Sequence, residues 1–300
     1  YDRKRTGYIT LEGEDNSKTV CMGAHLDTIG LIVRHITDEG HLEVRQLGGI
    51  NYSSIEGEGV TIHTRDGRKY RGMVICKSHS VHVFDDARTA PRDELHMEVI
   101  LHEDVKSKED VMNLGIDHGD VISIDPHFEY TPSGYVKSRF IDDKAAVAAL
   151  FEMIAYFKRN NLKPKYRTLL AFPLYEEIGH GGAYVPEEVS EYVALDIGLI
   201  GPDYHGNETT VSICAKDNYS PYDRGLTNRI ILQAKKANLN YCVDVFYRYG
   251  TDANAAIRAG NNVYAAAFGM ACINSHGMER CHISAIEETA KLAIAYALDI

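Results

Sequence analysis

Five segments of the sequence place acidic or histidine side chains directly after an apolar run. The residues in these positions are His25, Asp27, Asp142, Asp143, Glu176, Glu177, Asp196 and His276. If the apolar runs are parallel strands of one sheet, their carboxyl ends share the edge at which open α/β sheets bind ligands. Carboxylates that converge there repel each other and are costly to desolvate, and bound cations remove both costs. The pattern therefore indicates a metal centre.

The types of these side chains favour a site for two ions. Two imidazoles, His25 and His276, with three carboxylates form a donor set that suits zinc, cobalt or manganese better than calcium. Five protein ligands can hold two ions if one carboxylate bridges them. Two ions about 3.5–4 Å apart are typical of hydrolases, in which they activate a water molecule.

The adjacent Glu176 and Glu177 follow the apolar run LLAFPLY. Neighbouring residues at a strand end can point in different directions, so one glutamate can bind metal while the other reaches the activated water. Hydrolysis needs such a general base to take a proton from the water and pass it to the leaving group. By similar logic, Asp27 can fix the orientation of the His25 ring.

Each of these residues also has a structural explanation when it is considered alone. Asp142 or Asp143 can cap a helix predicted from residue 143, and Asp196 can bond to a neighbouring turn. A glutamate pair is usually a solvated helix face. Their joint occurrence after predicted strands is what favours the functional interpretation.

The elements that position these residues follow from two changes in sequence texture. Between about 43 and 136, short alternating runs separated by turn residues predict a small β barrel or sandwich. From 137 onwards, strands alternate with helices, which predicts a mostly parallel sheet covered by helices. We therefore expect a discontinuous α/β catalytic domain (1–43 and 137–300) with an inserted small β-barrel-like domain (44–136).

Composition narrows the range of partners. A net charge of −11 over 300 residues argues against nucleic acid or an anionic membrane surface as a partner. The longest apolar stretch, about 145–157, is too short to span a bilayer. The six cysteines include no CxxC pair, and several lie in apolar runs. They are expected to be buried reduced thiols, which predicts a cytoplasmic protein.

Six motifs together resemble the glutamyl-aminopeptidase and deblocking-aminopeptidase family of two-metal peptidases. This family includes the tetrahedral aminopeptidases and some proteins mislabelled as endoglucanases. The motifs are HLDTIG (25–30), RFIDDK (139–144), YEEIGHGGA (175–183), VALD (193–196), YGTDA (249–253) and SHGMERCH (275–282). The resemblance implies release of N-terminal residues from peptides. It also implies that the inserted domain serves assembly and active-site access, and that the protein is a homo-oligomer, commonly a dodecamer.

The resemblance also implies a metal ligand set. His25 and Asp196 would bind one ion, and Asp142 would bridge the two ions. Glu177 and His276 would complete the second site. The cofactors would be two divalent ions per subunit, zinc or cobalt, with manganese as a further candidate.

The same resemblance makes Glu176 the general base and Asp27 the residue that supports His25. The last motif departs from better-known members of the family. His276 follows the predicted strand more closely than His282 does, so His276 is the predicted ligand and His282 the alternative. The family usually has a helix before the first strand, so we expect the sequence to be part of a longer chain.

Two other functions fit parts of the pattern. A related two-metal amidohydrolase, such as a deacylase or a carboxypeptidase, would use similar ligands. In those relatives the extra domain follows the glutamate pair, whereas here it is predicted between His25 and Asp142. A non-catalytic metal-bound scaffold is disfavoured because the base and all five ligands are present.

Overall fold

The computed structural model describes residues 1–299, which form seventeen strands and five α-helices. In chain order the strands are β1 (Gly7–Leu11), β2 (Asp15–Gly23), β3 (Gly30–Ile36), β4 (Leu42–Leu47), β5 (Gly59–His63), β6 (Lys69–Cys76), β7 (Met97–Leu101), β8 (Val121–Ile124), β9 (Glu129–Tyr130), β10 (Tyr135–Ser138), β11 (Tyr166–Phe172), β12 (Val189–Leu195), β13 (Gly198–Leu199), β14 (Val211–Lys216), β15 (Tyr241–Val245), β16 (Tyr264–Cys272) and β17 (Glu279–His282). The helices are α1 (Lys108–Asn113), α2 (Ile141–Asn160), α3 (Arg224–Lys236), α4 (Asp252–Arg258) and α5 (Ile283–Leu298).

The largest sheet has the strand order β1-β11-β2-β12-β16-β14-β15, with β13 beside β16. Its centre is parallel, because β2 pairs in parallel with both β11 and β12, and β12 pairs in parallel with β16. The outer strand β1 and the pair β14–β16 are antiparallel. The mostly parallel sheet expected from the sequence is confirmed.

Both faces of this sheet are buried, which explains why its strands read as continuous apolar runs. Alternate residues of β2 enter different cores: Met22 packs with side chains of α2, α3 and α5, whereas Cys21 packs with side chains of α4. Among residues 1–299, none of the helices is long and apolar enough to cross a bilayer.

A closed barrel forms the second compact unit. Its strand order is β3-β4-β7-β6-β5-β8, closing from β8 back to β3. All six neighbouring pairs are antiparallel. Burial alternates along β5 and β8, as a barrel wall requires. The predicted β-barrel-like domain is therefore present.

The boundaries of the two units differ from the expected ones. The first unit comprises residues 1–28, 128–275 and 279 onwards, and the second comprises residues 29–127 and 276–278. The apolar run of β3 resembles a strand of the parallel sheet, but β3 pairs with β4 and β8 in the barrel. Strands β9 and β10 instead pair with each other, and β10 pairs with β17, in the first unit.

Candidate metal centre

The first unit brings together most of the polar residues singled out in the sequence. His25 lies two residues beyond β2, the pair Glu176 and Glu177 lies beyond β11, and Asp196 follows β12 directly. Because β11, β2 and β12 are adjacent and parallel, their carboxyl ends lie side by side. Strand β12 ends at Leu195, and the chain pairs with β16 again as β13 two residues beyond Asp196.

Asp142 lies in the same cluster but, contrary to the expectation from the sequence, it does not follow a strand of the large parallel sheet. The strand before it, β10, belongs to a separate three-stranded sheet, and Asp142 lies in the first turn of α2. Neither Asp142 nor Asp143 has helical dihedral angles there. Asp143 accepts a hydrogen bond from the main-chain N of His25 at 3.1 Å, so its carboxylate serves the His25 segment.

Three overlapping groups of potential ligand atoms lie within 4.8 Å of one another. They are His25, Glu176 and Asp196; His25, Asp142 and Glu177; and Asp142, Asp143 and Asp196. The His25 Nε2 atom is 3.0 Å from Asp142 Oδ1 and 3.8 Å from Glu176 Oε2. The side chain of His25 is 2% exposed, so these contacts are removed from solvent.

Burial perturbs the protonation of this cluster strongly. Burial raises the pKa of Asp143, Glu176 and Asp196 well above the usual range, and neighbouring carboxylates raise it further. Burial alone would lower the pKa of His25. Hydrogen bonds to Asp142 and to Asp27 outweigh burial, so the pKa of His25 is also raised. The pKa values of the carboxylates and of the imidazole are all raised, so each group binds a proton more readily than usual. This behaviour is expected of a site that lacks positive charge.

The donor set therefore fits divalent ions. Asp143 Oδ1 is buried and makes no hydrogen bond within the described residues, and a cation would satisfy such an oxygen. Imidazole and carboxylate donors within 4.8 Å of one another suit zinc, cobalt or manganese. The position of Asp142 in two of the three groups makes it suitable as a shared ligand.

The glutamate pair lies in a tight turn rather than on a helix face. Gly179 N donates to Glu176 O at 2.7 Å, and Gly179 has a φ of +83°, which favours glycine. Asp27 holds this turn: Oδ1 accepts from Glu176 N at 3.2 Å and Oδ2 accepts from Glu177 N at 3.1 Å. Both glutamates are thus held through their main-chain N–H groups.

Asp27 lies beside the Nδ1 edge of the His25 ring. The His25 Nδ1 atom is 3.1 Å from the main-chain oxygen of Asp27 and 3.4 Å from Oδ1. The hydrogen bonds from Glu176 N and Glu177 N to Asp27 are not visible in the sequence. The same holds for Glu279, which accepts from Asp142 N at 3.0 Å. No local pattern reveals such contacts, because they join residues more than 100 positions apart.

The two candidate histidines of the last motif have different surroundings. His282 caps α5: its Nδ1 accepts from Ser284 N at 3.2 Å, and its Nε2 is 3.0 Å from Ser133 O. Both ring nitrogens of His282 are therefore engaged within the fold. His276 belongs to the second unit, where its Nδ1 is 2.6 Å from Gly49 O. Its role as a ligand stays a prediction.

Known proteins resemble the chain in sequence along nearly its whole length. The family model for M42 glutamyl aminopeptidase matches residues 6–292. The protein named "Putative aminopeptidase YhfE" of Bacillus subtilis (strain 168) is 40% identical over 288 residues, which is 96% of this chain and 83% of that protein.

Solved structures resemble the chain in fold. The TET1 peptidase of Pyrococcus horikoshii, described as assembling into a tetrahedron or a large octahedral shell, matches with a TM-score of 0.85 and 25% identity over 100% of this chain and 88% of its own. A TET aminopeptidase from the marine sediment archaeon Thaumarchaeota archaeon SCGC AB-539-E09 matches with a TM-score of 0.86 and 19% identity, over 99% and 85% of the two chains. The chain is a peptidase hydrolase of the aminopeptidase type, and it belongs to the M42 glutamyl aminopeptidase family.

Proposed function

We propose that the chain is a metal-dependent aminopeptidase that releases N-terminal residues from peptides, with Glu176 as general base. The observation behind this proposal is the buried cluster of His25, Asp142, Glu177 and Asp196 beside Glu176. Such a concentration of buried acids with raised pKa values is costly unless cations bind there.

The proposed ligands divide between two ions. His25 and Asp196 would hold one ion, Asp142 would be shared by both ions, and Glu177 and His276 would hold the second. Four of these five residues, all except His276, fall in overlapping groups that share Asp142 or His25. His276 is retained over His282 because it follows β16 more closely along the chain. The proposed ions are zinc or cobalt, with manganese as a further candidate.

The chemistry is divided between these ions and one carboxylate. When bound, the ions supply Lewis acidity that lowers the pKa of a water and polarises the scissile carbonyl. Glu176 accepts the proton of the attacking water and then donates it to the leaving amine. Burial raises the pKa of Glu176, which favours its accepting a proton. Asp27 holds the main chain of Glu176 and Glu177 through their N–H groups.

We also propose that the protein assembles as a homo-oligomer, as the tetrahedral aminopeptidases do, and that this oligomer is a dodecamer. The TET1 peptidase, which matches all of this chain, is described as forming a tetrahedron or an octahedral shell. The inserted barrel would serve assembly and active-site access. Six buried free cysteines favour a reducing compartment, the cytoplasm.

The test compares free and blocked substrates with and without metal. We expect the cobalt- or zinc-loaded protein to hydrolyse aminoacyl-p-nitroanilides, to leave their N-acetylated forms intact, and to lose activity with a chelator. Preferential cleavage of acylated amino acids would favour the deacylase-like alternative. Bound metal without hydrolysis of any aminoacyl substrate would favour the non-catalytic scaffold.

A further inference from the structure

Asp252 is a buried carboxylate that the proposed mechanism does not use. It is 5% exposed and is the first residue of α4. The cap of α4 is Thr251, whose hydroxyl accepts from Ala253 N at 3.1 Å. The helix therefore does not need Asp252 as its cap, and its carboxylate is absent from the three ligand groups found within residues 1–299.

The carboxylate of Asp252 instead binds the segment that follows the glutamate turn. Asp252 Oδ1 accepts from the main-chain N of Gly182 at 2.5 Å, and this contact is buried. We call residues 176–182 the glutamate loop. Asp27 binds the loop at Glu176 and Glu177, and Asp252 binds it at the other end. Two carboxylates from separate elements thus hold the loop at both ends.

The two glycines of the GHGGA motif are explained by this contact. A Cβ on Gly181 would lie 2.4 Å from Asp252 Oδ2, and a Cβ on Gly182 would lie 2.2 Å from the main-chain oxygen of Asp252. Only residues without a side chain allow α4 to approach the loop so closely. The close approach is therefore built into both segments of the sequence, YGTDA and GHGGA.

Asp252 is also within electrostatic range of the proposed site. Burial raises its pKa to about 6, with the charges of His25 and Lys4 opposing the shift and the charge of Asp27 adding to it. Asp252 in turn helps to raise the pKa of Glu176. A buried acid beside other acids is destabilising by itself, so its presence needs a compensating role.

We propose that Asp252 is a positioning residue for peptide hydrolysis: through Gly182 it holds the glutamate loop so that Glu176 keeps the geometry of a general base. The inference rests on the proposed function, because it takes Glu176 as the base. Loss of this hydrogen bond frees one end of the loop. A displacement of about 1 Å at a catalytic group costs on the order of 100-fold in rate.

The test uses Asp252→Ala, which removes the acceptor, and Asp252→Asn, which keeps an acceptor oxygen without the charge. We expect Asp252→Ala to lower kcat about 10- to 100-fold, with KM changed less than about threefold and metal content unchanged. Asp252→Asn should recover most of the lost kcat. If Asp252→Ala does not fold, Asp252→Leu makes the same comparison, because its side chain has nearly the shape of aspartate but no acceptor for Gly182 N.

The matched control is Asp223→Ala. Asp223 caps α3 and accepts from Leu226 N at 2.7 Å, so the variant loses the same kind of bond away from the glutamate loop. It should lower Tm while kcat stays at the parent value. The proposal is overturned if kcat of folded Asp252→Ala stays within twofold of the parent, if Asp252→Asn is as impaired as Asp252→Ala, or if Asp223→Ala loses kcat equally.

Glu176→Gln, measured in parallel, distinguishes a failure of the positioning role of Asp252 from a failure of Glu176 as the base. If Glu176→Gln is inactive and Asp252→Ala is fully active, only the positioning role fails. If Glu176→Gln is fully active, the base assignment fails, and the role of Asp252 fails with it.

Discussion

The carboxylate of Asp125 in the barrel and the carboxylates of the metal-centre cluster have opposite environments. In the barrel, Asp125 forms two hydrogen bonds to Arg71, at 2.9 and 2.5 Å, and this pairing lowers the pKa of Asp125. In the cluster, burial raises the pKa of Asp143 and Asp196, and the basic group that opposes the shift is His25. Asp125 is charge-compensated by Arg71, whereas the cluster holds excess negative charge.

Burial alone does not explain this difference, as Glu191 shows within the first unit. Glu191 is also buried, but it binds Lys18, Arg229 and the hydroxyl of Tyr296. These hydrogen bonds outweigh the cost of burial, and the pKa of Glu191 is lowered. The fold thus supplies cationic side chains where a buried acid is structural. At the strand ends, divalent ions are the counter-charge that we propose.

The largest expected effect concerns the base. Glu176→Gln should lower kcat roughly 10²- to 10⁴-fold, because a neutral amide cannot accept the proton of water. The variant should still contain metal, since Glu176 is not a proposed ligand. Rates on aminoacyl-p-nitroanilides together with metal analysis check both points. Parent-like turnover would show that another group is the base.

The second prediction concerns Glu191, the buried acid that is paired with basic side chains. Glu191→Ala should lower the free energy of unfolding by about 3 kcal/mol, because it leaves Lys18 and Arg229 without their buried partner. Its kcat should not change at a temperature where it is folded. Urea denaturation measures the loss. Glu152→Ala, which removes an exposed pair with Arg159, is the control and should unfold at the parent midpoint. A loss of kcat in folded Glu191→Ala would break the distinction between structural and functional acids.

A smaller effect is expected from pH on the chelated protein. The pKa values of Asp143 and Asp196 are raised in the folded state, so the folded chain keeps protons that the unfolded chain has already released. The folded state is therefore favoured at low pH, and this advantage is lost as pH rises through the folded-state pKa values. The raised pKa of His25 acts in the same direction: its contribution is fully present below the unfolded-state pKa and is lost at higher pH.

The chelated protein should therefore have a lower Tm at about pH 8.5 than at about pH 6. Metal binds deprotonated ligands, so reloading should raise Tm more at the higher pH. Differential scanning fluorimetry measures all four conditions. A chelated protein that gains stability with rising pH would contradict the raised pKa values of the cluster.

The smallest effect is expected in the barrel. Arg71→Ala breaks an ion pair whose side chains are 49% and 31% exposed, and such surface pairs contribute less than about 1 kcal/mol. Denaturation should show a small loss that shrinks at high salt, and kcat should be unchanged. A loss as large as that of Glu191→Ala would show that the barrel pairs are not merely surface contacts.

The architecture and the convergence of strand-end residues could be predicted because both follow from local periodicity. Apolar runs located β2, β11 and β12, and the polar residues after them meet in space. The same rule misassigned β3, since an apolar run does not reveal which sheet a strand joins. The contacts of Asp27 and Asp252 with the glutamate loop could not be predicted either. They depend on which main-chain groups face each other after folding.

The most direct test of the account is anomalous diffraction from crystals of the metal-loaded protein at the zinc or cobalt edge. The account predicts two peaks per chain, in contact with His25, Asp142, Glu177 and Asp196, and the same map decides between His276 and another partner for the second ion. An absence of peaks at this cluster, or peaks only elsewhere on the chain, would contradict the proposal that divalent ions compensate these buried acids.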